Sequence, residues 1–191
     1  MPIIKRFVRL PILIQIAVNI NILFFLWIIF YKFLRPIAVV DYFYEQGIYY
    51  LTKYQLDLSA KLLRLLGYKV EVLGKLVAIK GTGGVVLDRG CLGRNVMALF
   101  VGFILVIPSK FSQKLWMSVL GILVFLILNI IRIATLAIIE YCCEQYLQIN
   151  HHLVFKVLIY GVMLLLWFIW LRSVRKSGYW DTLGVRRQPE L

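Results

Sequence analysis

Three long apolar stretches, 10–33, 115–139 and 153–171, constrain this chain more than any other feature of its sequence. A helix of about 20 apolar residues spans the roughly 30 Å hydrocarbon core of a bilayer, and each stretch is close to that length or beyond it. A fourth stretch, 92–107, is shorter and closes at Pro108. The chain has 191 residues, 62% of them hydrophobic, whereas ordinary soluble domains are roughly 45–50% apolar. The expected fold class is therefore an all-α membrane protein. It is read as a single membrane domain over 1–191, a polytopic helical bundle of about four transmembrane helices embedded in the lipid bilayer.

Charge sets the expected orientation. A formal net charge of +13 on a soluble domain would suggest nucleic acid. Here the basic residues flank the apolar stretches as they do on the cytoplasmic side of membrane spans, so no nucleic-acid partner is expected. Lys5, Arg6 and Arg9 precede the first stretch, Lys110 and Lys114 separate the second from the third, and Arg172, Arg175, Lys176, Arg186 and Arg187 lie in a basic tail at 172–191. The connection EYCCEQYLQINHH between the third and fourth stretches holds Glu140 and Glu144 and no Lys or Arg. With four spans, both ends lie in the cytoplasm and this connection lies outside. The segment 35–90 then falls outside as well, although it is partly basic; long translocated segments follow the charge rule weakly, and Lys32 and Arg35 can snorkel. The basic-then-apolar start resembles a signal peptide, but its apolar run is too long and no small-residue cleavage site follows, so it is read as a retained helix.

Two elements are expected in the outer segment. Over 48–66, Lys53, Asp57, Lys61 and Arg64 recur at helical spacing, while Leu51, Leu58, Leu62 and Leu65 keep to another face. This reads as an amphipathic helix stopped by Gly67. It could lie on the membrane surface with Tyr42, Tyr44, Tyr49, Tyr50 and Tyr54 at the interface, or pack against the bundle. Over 69–87 the period changes to two, with turn signals at Gly74-Lys75 and Gly81–Gly84, and a small β-hairpin or three-stranded element is expected. The GTGG run lacks the spacing and the Gly-Lys-Ser/Thr end of a phosphate loop and is read as a turn.

Three positions carry chemistry. Cys91 opens the second span beside Gly93, Arg94 and Asn95; helix N-termini and neighbouring cations favour the thiolate, the nucleophilic form of cysteine. Arg132 lies inside the third apolar stretch, where a cation costs roughly 2.5–3.5 kcal/mol and is as a rule paired, inward-facing and functional. Asn129 shares its helix face three residues earlier, and Glu140 lies about 12 Å further along the helix. His151 and His152, the only two histidines, stand at the outer start of the fourth span, where a neutral imidazole serves as acid and base. The topology brings all three positions to similar depth on the outer side. Cysteine and histidine are the pair that thiol acyl transfer requires, and an arginine can stabilise the thiolate or a developing oxyanion.

DRGCLGRNVMALF, LNIIRIATL and HHLVFKVLIYG, in this order on successive membrane helices, resemble the exosortase/archaeosortase family of envelope cysteine transpeptidases. The family's Cys-x-Gly, Asn-x-x-Arg and later histidine match Cys91 with Gly93, Asn129 with Arg132, and His152, over about 88–171. His152 is preferred because LVF follows it, with His151 as the alternative; Leu92 stands where the family often has Ser. The resemblance implies a short bacterial form in the cytoplasmic membrane, with its active site on the extracytoplasmic side. It further implies a peptidase or transpeptidase acting on membrane-anchored proteins that end in a sorting signal: a motif, a transmembrane helix and a basic tail. Cys91, Arg132 and His152 would be catalytic, with Asn129, Gly93, Arg94, Asn95 and His151 in support. The cysteines and histidines lack ligand spacing, so no metal or cofactor is expected. Two other readings stay open: a thiol redox protein using Cys91, Cys142 or Cys143, and a non-catalytic envelope assembly subunit docking through 48–66.

Overall fold

The computed structural model describes residues 12–143 and 154–176. Helix α1 (Ile12–Ile29) is apolar apart from Gln15, Asn19 and Asn21. Ile20, Phe24, Phe25 and Trp27 are all exposed, which suits a helix with much of its surface in lipid, while Gln15 is buried. It runs into a π-helical turn, Phe30–Leu34. The chain then turns at Pro36 and Ile37, and α2 begins at Ala38. Asp41 in its first turn and Arg64 in its last match the helix dipole.

Helix α2 runs from Ala38 to Leu65, so it starts ten residues before the expected boundary at 48. It closes in a Schellman arrangement, with Tyr68 N–H donating to Leu63 O at 3.1 Å and Gly67 N–H to Arg64 O at 3.0 Å. Its buried side lies beside the leucine face rather than on it. Thr52, Gln55, Leu56, Ser59, Ala60 and Leu63 are buried, while Leu58 and Leu65 are exposed. Small and polar residues let the helix approach its neighbour closely and bond to it. Leu51 and Leu62 pack on the edge of the core that this stripe joins, and Leu58, Leu65, Tyr42, Tyr49, Tyr50 and Tyr54 are exposed.

Strands β1 (Val70–Leu73), β2 (Leu76–Ile79) and β3 (Val85–Val86) form an antiparallel meander in that order. Val70 pairs with Ile79 and Leu73 with Leu76, so Gly74 and Lys75 make a two-residue turn. Strand β2 is buried at Val77, Ala78 and Ile79. Leu87 then leads into a 3-10 turn, Arg89–Leu92, and α3 follows as Arg94–Val106. Ile107 is extended, as a residue before proline prefers. Asn19 Nδ2 of α1 donates to the Val106 carbonyl at 2.7 Å, satisfying a carbonyl in the last turn of α3.

Helix α4 runs over Phe111–Cys143, 33 residues, longer at each end than the apolar stretch 115–139. At 1.5 Å per residue it is about 50 Å long, well beyond the roughly 30 Å hydrocarbon layer. Helix α5 is Phe155–Lys176. Three described helices are long and apolar enough to cross a membrane: Ile14–Leu34, Phe111–Cys143 and Phe155–Lys176. Helix α3 is apolar but has only 13 residues, about 20 Å. The fold is that of an α-helical membrane protein.

Two apolar cores lie along α4. One joins α3, α4 and α5 through Phe100, Ile104, Phe125, Met163 and Trp170. Its aromatic centre is Trp167 stacked on Phe103, with ring centroids 4.1 Å apart. The other joins α2, β2 and the C-terminal third of α4 through Leu56, Leu63, Val77, Leu92, Ile133 and Ala137. Asn129 lies on α4 between the two.

Candidate active site

The chain reaches the cysteine by way of Asp88. The backbone of that residue is extended, and its carbonyl accepts from the Cys91 N–H at 2.9 Å. Cys91 thus sits within the 3-10 turn that leads into the helix of the second apolar stretch. Gly93 separates turn from helix with φ +72°, a left-handed conformation that L side chains adopt at a cost. A Cβ there would also meet Met97 Cε at 3.6 Å and the Asn129 side chain at 3.9 Å. The Gly in Cys-x-Gly is therefore the hinge that lets the turn pass directly into α3. Cys91 itself is half-buried and packs at the edge of the α2–β2–α4 core.

The polar residues around this turn form one buried group. Asn129, 1% exposed, donates through Nδ2 to the Cys91 carbonyl at 2.9 Å and to Gln55 Oε1 at 2.7 Å. Gln55 Nε2 donates in turn to the Leu92 carbonyl at 3.3 Å. The turn bearing the thiol is held from α4 on one side and α2 on the other. Asn129 Oδ1 has no hydrogen-bond partner among the described residues.

Arg132 follows Asn129 by three positions, a rise of about 4.5 Å along the same side of α4. Its Nε is buried without a hydrogen-bond partner among the described residues. The guanidinium carbon lies 6.0 Å from the centre of the Phe155 ring, a cation–π distance. Phe155 is the first residue of α5 and follows His152 by three positions. Both histidines, His151 and His152, lie outside the described residues.

Two supporting candidates point elsewhere. Arg94 Nη1 donates to the Tyr44 hydroxyl at 2.6 Å. The same ring lies 5.0 Å from the Arg35 guanidinium, which is itself 3.7 Å from Asp41 Oδ1. Arg94 therefore ties the start of α3 to α2. Asn95 is exposed. The three cysteines are thiols, with Cys142 and Cys143 exposed at the end of α4. Among the described residues no cluster of three or more His, Cys, Asp or Glu could hold a metal ion.

Sequence reading missed Gln55. It lies in a stretch read as an amphipathic surface helix, where a lone glutamine looks solvated. The available signal was the spacing of Thr52, Gln55 and Ser59, which puts uncharged polar residues on one side of a helix that keeps Lys53, Lys61 and Arg64 away from it.

The sequence matches the family model of transmembrane exosortases over residues 5–169. No match is found among curated proteins or among solved structures.

Proposed function

Because this chain belongs to the transmembrane exosortase family, we propose that it is a membrane-embedded cysteine peptidase or transpeptidase that cleaves the C-terminal sorting signal of exported proteins. The observation that carries this reading is the contact between two distant motifs: Asn129 of Asn-x-x-Arg holds the Cys91 carbonyl at 2.9 Å. Arg132 stands one helical turn beyond. Its approach to Phe155 supports a site closed by the start of α5, where His152 lies in sequence.

In the proposed reaction the Cys91 thiolate attacks the scissile carbonyl carbon and a C–S bond forms. Arg132 holds the negative charge of the thiolate and then of the tetrahedral oxygen, where exclusion of water makes a guanidinium most effective. Collapse breaks the C–N bond, and His152 gives its proton to the leaving amine. An amine or water then attacks the thioester, His152 takes the proton from it, and Cys91 leaves as thiolate.

The orientation we infer puts the N-terminal end of α1 and the C-terminal end of α5 in the cytoplasm. Arg172, Arg175 and Lys176 near the end of α5 favour this. Helix α3 then acts as a short fourth span, and residues 35–90, with the sheet, lie outside the bacterial cytoplasmic membrane. A substrate helix in the same bilayer would carry its motif to this outer level.

Single Cys91→Ala, Arg132→Ala and His152→Ala variants, each co-expressed with a protein ending in a motif, membrane helix and basic tail, test the reading. Loss of tail processing in each is expected. Full processing by Cys91→Ala overturns it.

A further inference from the structure

Gln55 belongs to none of the motifs invoked above, yet it is 2% exposed and its side chain closes the hydrogen-bond circuit around the cysteine. Nε2 reaches the Leu92 carbonyl at 3.3 Å, and Oε1 receives the Asn129 amide at 2.7 Å. That amide also holds the Cys91 carbonyl. Two consecutive carbonyls, those of Cys91 and Leu92, are thus gripped by a pair of side-chain amides from different helices. The backbone around Gln55 is pinned as well. Ser59 Oγ donates to the Gln55 carbonyl at 2.7 Å and lies 3.3 Å from the Ile130 carbonyl, next to Asn129 on α4.

Packing alone does not call for an amide here. The neighbouring core is apolar and includes Leu56, Ala60, Leu92 and Ile133, and a leucine would serve its packing. A buried amide is costly unless its bonds are made, and a two-sided buried amide pair specifies one geometry. What it specifies is a 3-10 turn of four residues, an element with poor intrinsic hydrogen-bond geometry. Rotation of the peptide planes at Cys91 and Leu92 would swing the Cys91 Cα–Cβ bond. A shift of about 1 Å in a reacting group can cost about 100-fold in rate.

We infer that Gln55 is a positioning residue of this site: acting through Asn129 and the Leu92 carbonyl, it fixes the turn that aims the Cys91 thiol. This rests on the reading of Cys91 as the nucleophile. Gln55 is buried, so its removal is expected to act on turnover and leave binding largely alone.

The full chain in proteoliposomes provides the test, with two readouts. One is kcat and KM for processing of a tail-bearing membrane protein. The other is the pH profile of iodoacetamide alkylation at Cys91, read by mass spectrometry with Cys142 and Cys143 as references on the same molecule. Gln55→Leu is expected to lower kcat about tenfold or more with KM within about twofold, and to displace the Cys91 profile while those of Cys142 and Cys143 stay put. Gln55→Glu keeps the acceptor for Asn129 but loses the donor to Leu92, and should recover part of kcat. Leu56→Ala, a buried cavity next door, should lower the melting temperature and leave the Cys91 profile unchanged.

The inference is overturned if Gln55→Leu turns over like the wild type, or if Leu56→Ala reproduces its displaced profile. Should Gln55→Leu fail to accumulate, a wild-type kcat in Gln55→Glu overturns it equally. Processing that persists in Cys91→Ala removes the underlying reading instead. Loss there beside full activity in Gln55→Leu removes only the role given to Gln55.

Discussion

Replacing Gly121 with alanine should destabilise the protein, although alanine is the better helix former. Gly121 lies in α4 where Phe100 of α3 crosses it. A Cβ would fall 1.9 Å from Phe100 Cε1 and 2.6 Å from both Cδ1 and Cζ. Ordinary contact begins near 3.4 Å, so the ring edge must retreat by about 1.5 Å in a close-packed interior. It has nowhere to go: Phe100 is fully buried, with Phe125 5.3 Å away edge-on and Trp167 6.4 Å away in parallel. Gly-to-Ala in a helix gains up to about 1 kcal/mol. Overpacking costs about 1–3 kcal/mol and can exceed that, and a clash with three ring atoms sits at the upper end. The net loss should be about 2 kcal/mol, a fall of about 4–8 °C in melting temperature for a chain of this size. Thermal unfolding of the purified protein in detergent, followed by tryptophan fluorescence, measures it. The double variant Gly121→Ala/Phe100→Leu should lose less than the two single losses together, with a coupling of about 1 kcal/mol or more. An unchanged melting temperature in Gly121→Ala, or strict additivity in the double variant, would refute the reasoning.

Other outcomes follow from the same geometry. Cys142→Ser and Cys143→Ser, both at exposed positions, should process a tail-bearing substrate within about twofold of wild type, since surface substitutions stay within about ±0.5 kcal/mol; a large loss in either would favour thiol redox chemistry. Arg132→Lys keeps the charge but not the planar fork, so it should retain partial processing where Arg132→Met retains none, as immunoblots of the substrate tail would show; equal activity of the two would remove the charge from the mechanism. Gly93→Ala should lower processing and stability together, because a left-handed residue with a Cβ costs roughly 1–2 kcal/mol; a variant indistinguishable from wild type in melting temperature would contradict the hinge.

The membrane class of the fold was legible because it rests on length and hydrophobicity alone, as in α1 and α4. What apolarity means was less legible. In a bilayer the apolar side of a helix need not face the protein. Leu58 and Leu65 of α2 are exposed, and the stripe Thr52, Gln55, Ser59 and Ala60 is buried. Cys91 and Asn129 could be found from their motifs. The bond between them joins positions 38 residues apart, an approach set by tertiary packing, including the crossing of α3 and α4 at Gly121 and Phe100 and the hold of Gln55 from α2. The start of α2 at Ala38 was legible but unread: Asp41 and Glu45 continue, four residues apart, the charged series of Lys53, Asp57 and Lys61. Pro36, just before that series, and Asp41 in the first turn mark the start.

The central claim is that Cys91 forms an acyl-enzyme, and covalent trapping tests it most directly. The purified full chain is mixed with a peptide spanning a sorting-signal motif, quenched in acid and digested for mass spectrometry. A thioester adduct on the peptide containing Cys91 is expected, with Cys142 and Cys143 unmodified and the adduct absent from Cys91→Ala. Cleavage of the tail that proceeds in Cys91→Ala, or an adduct carried by another residue, would contradict it.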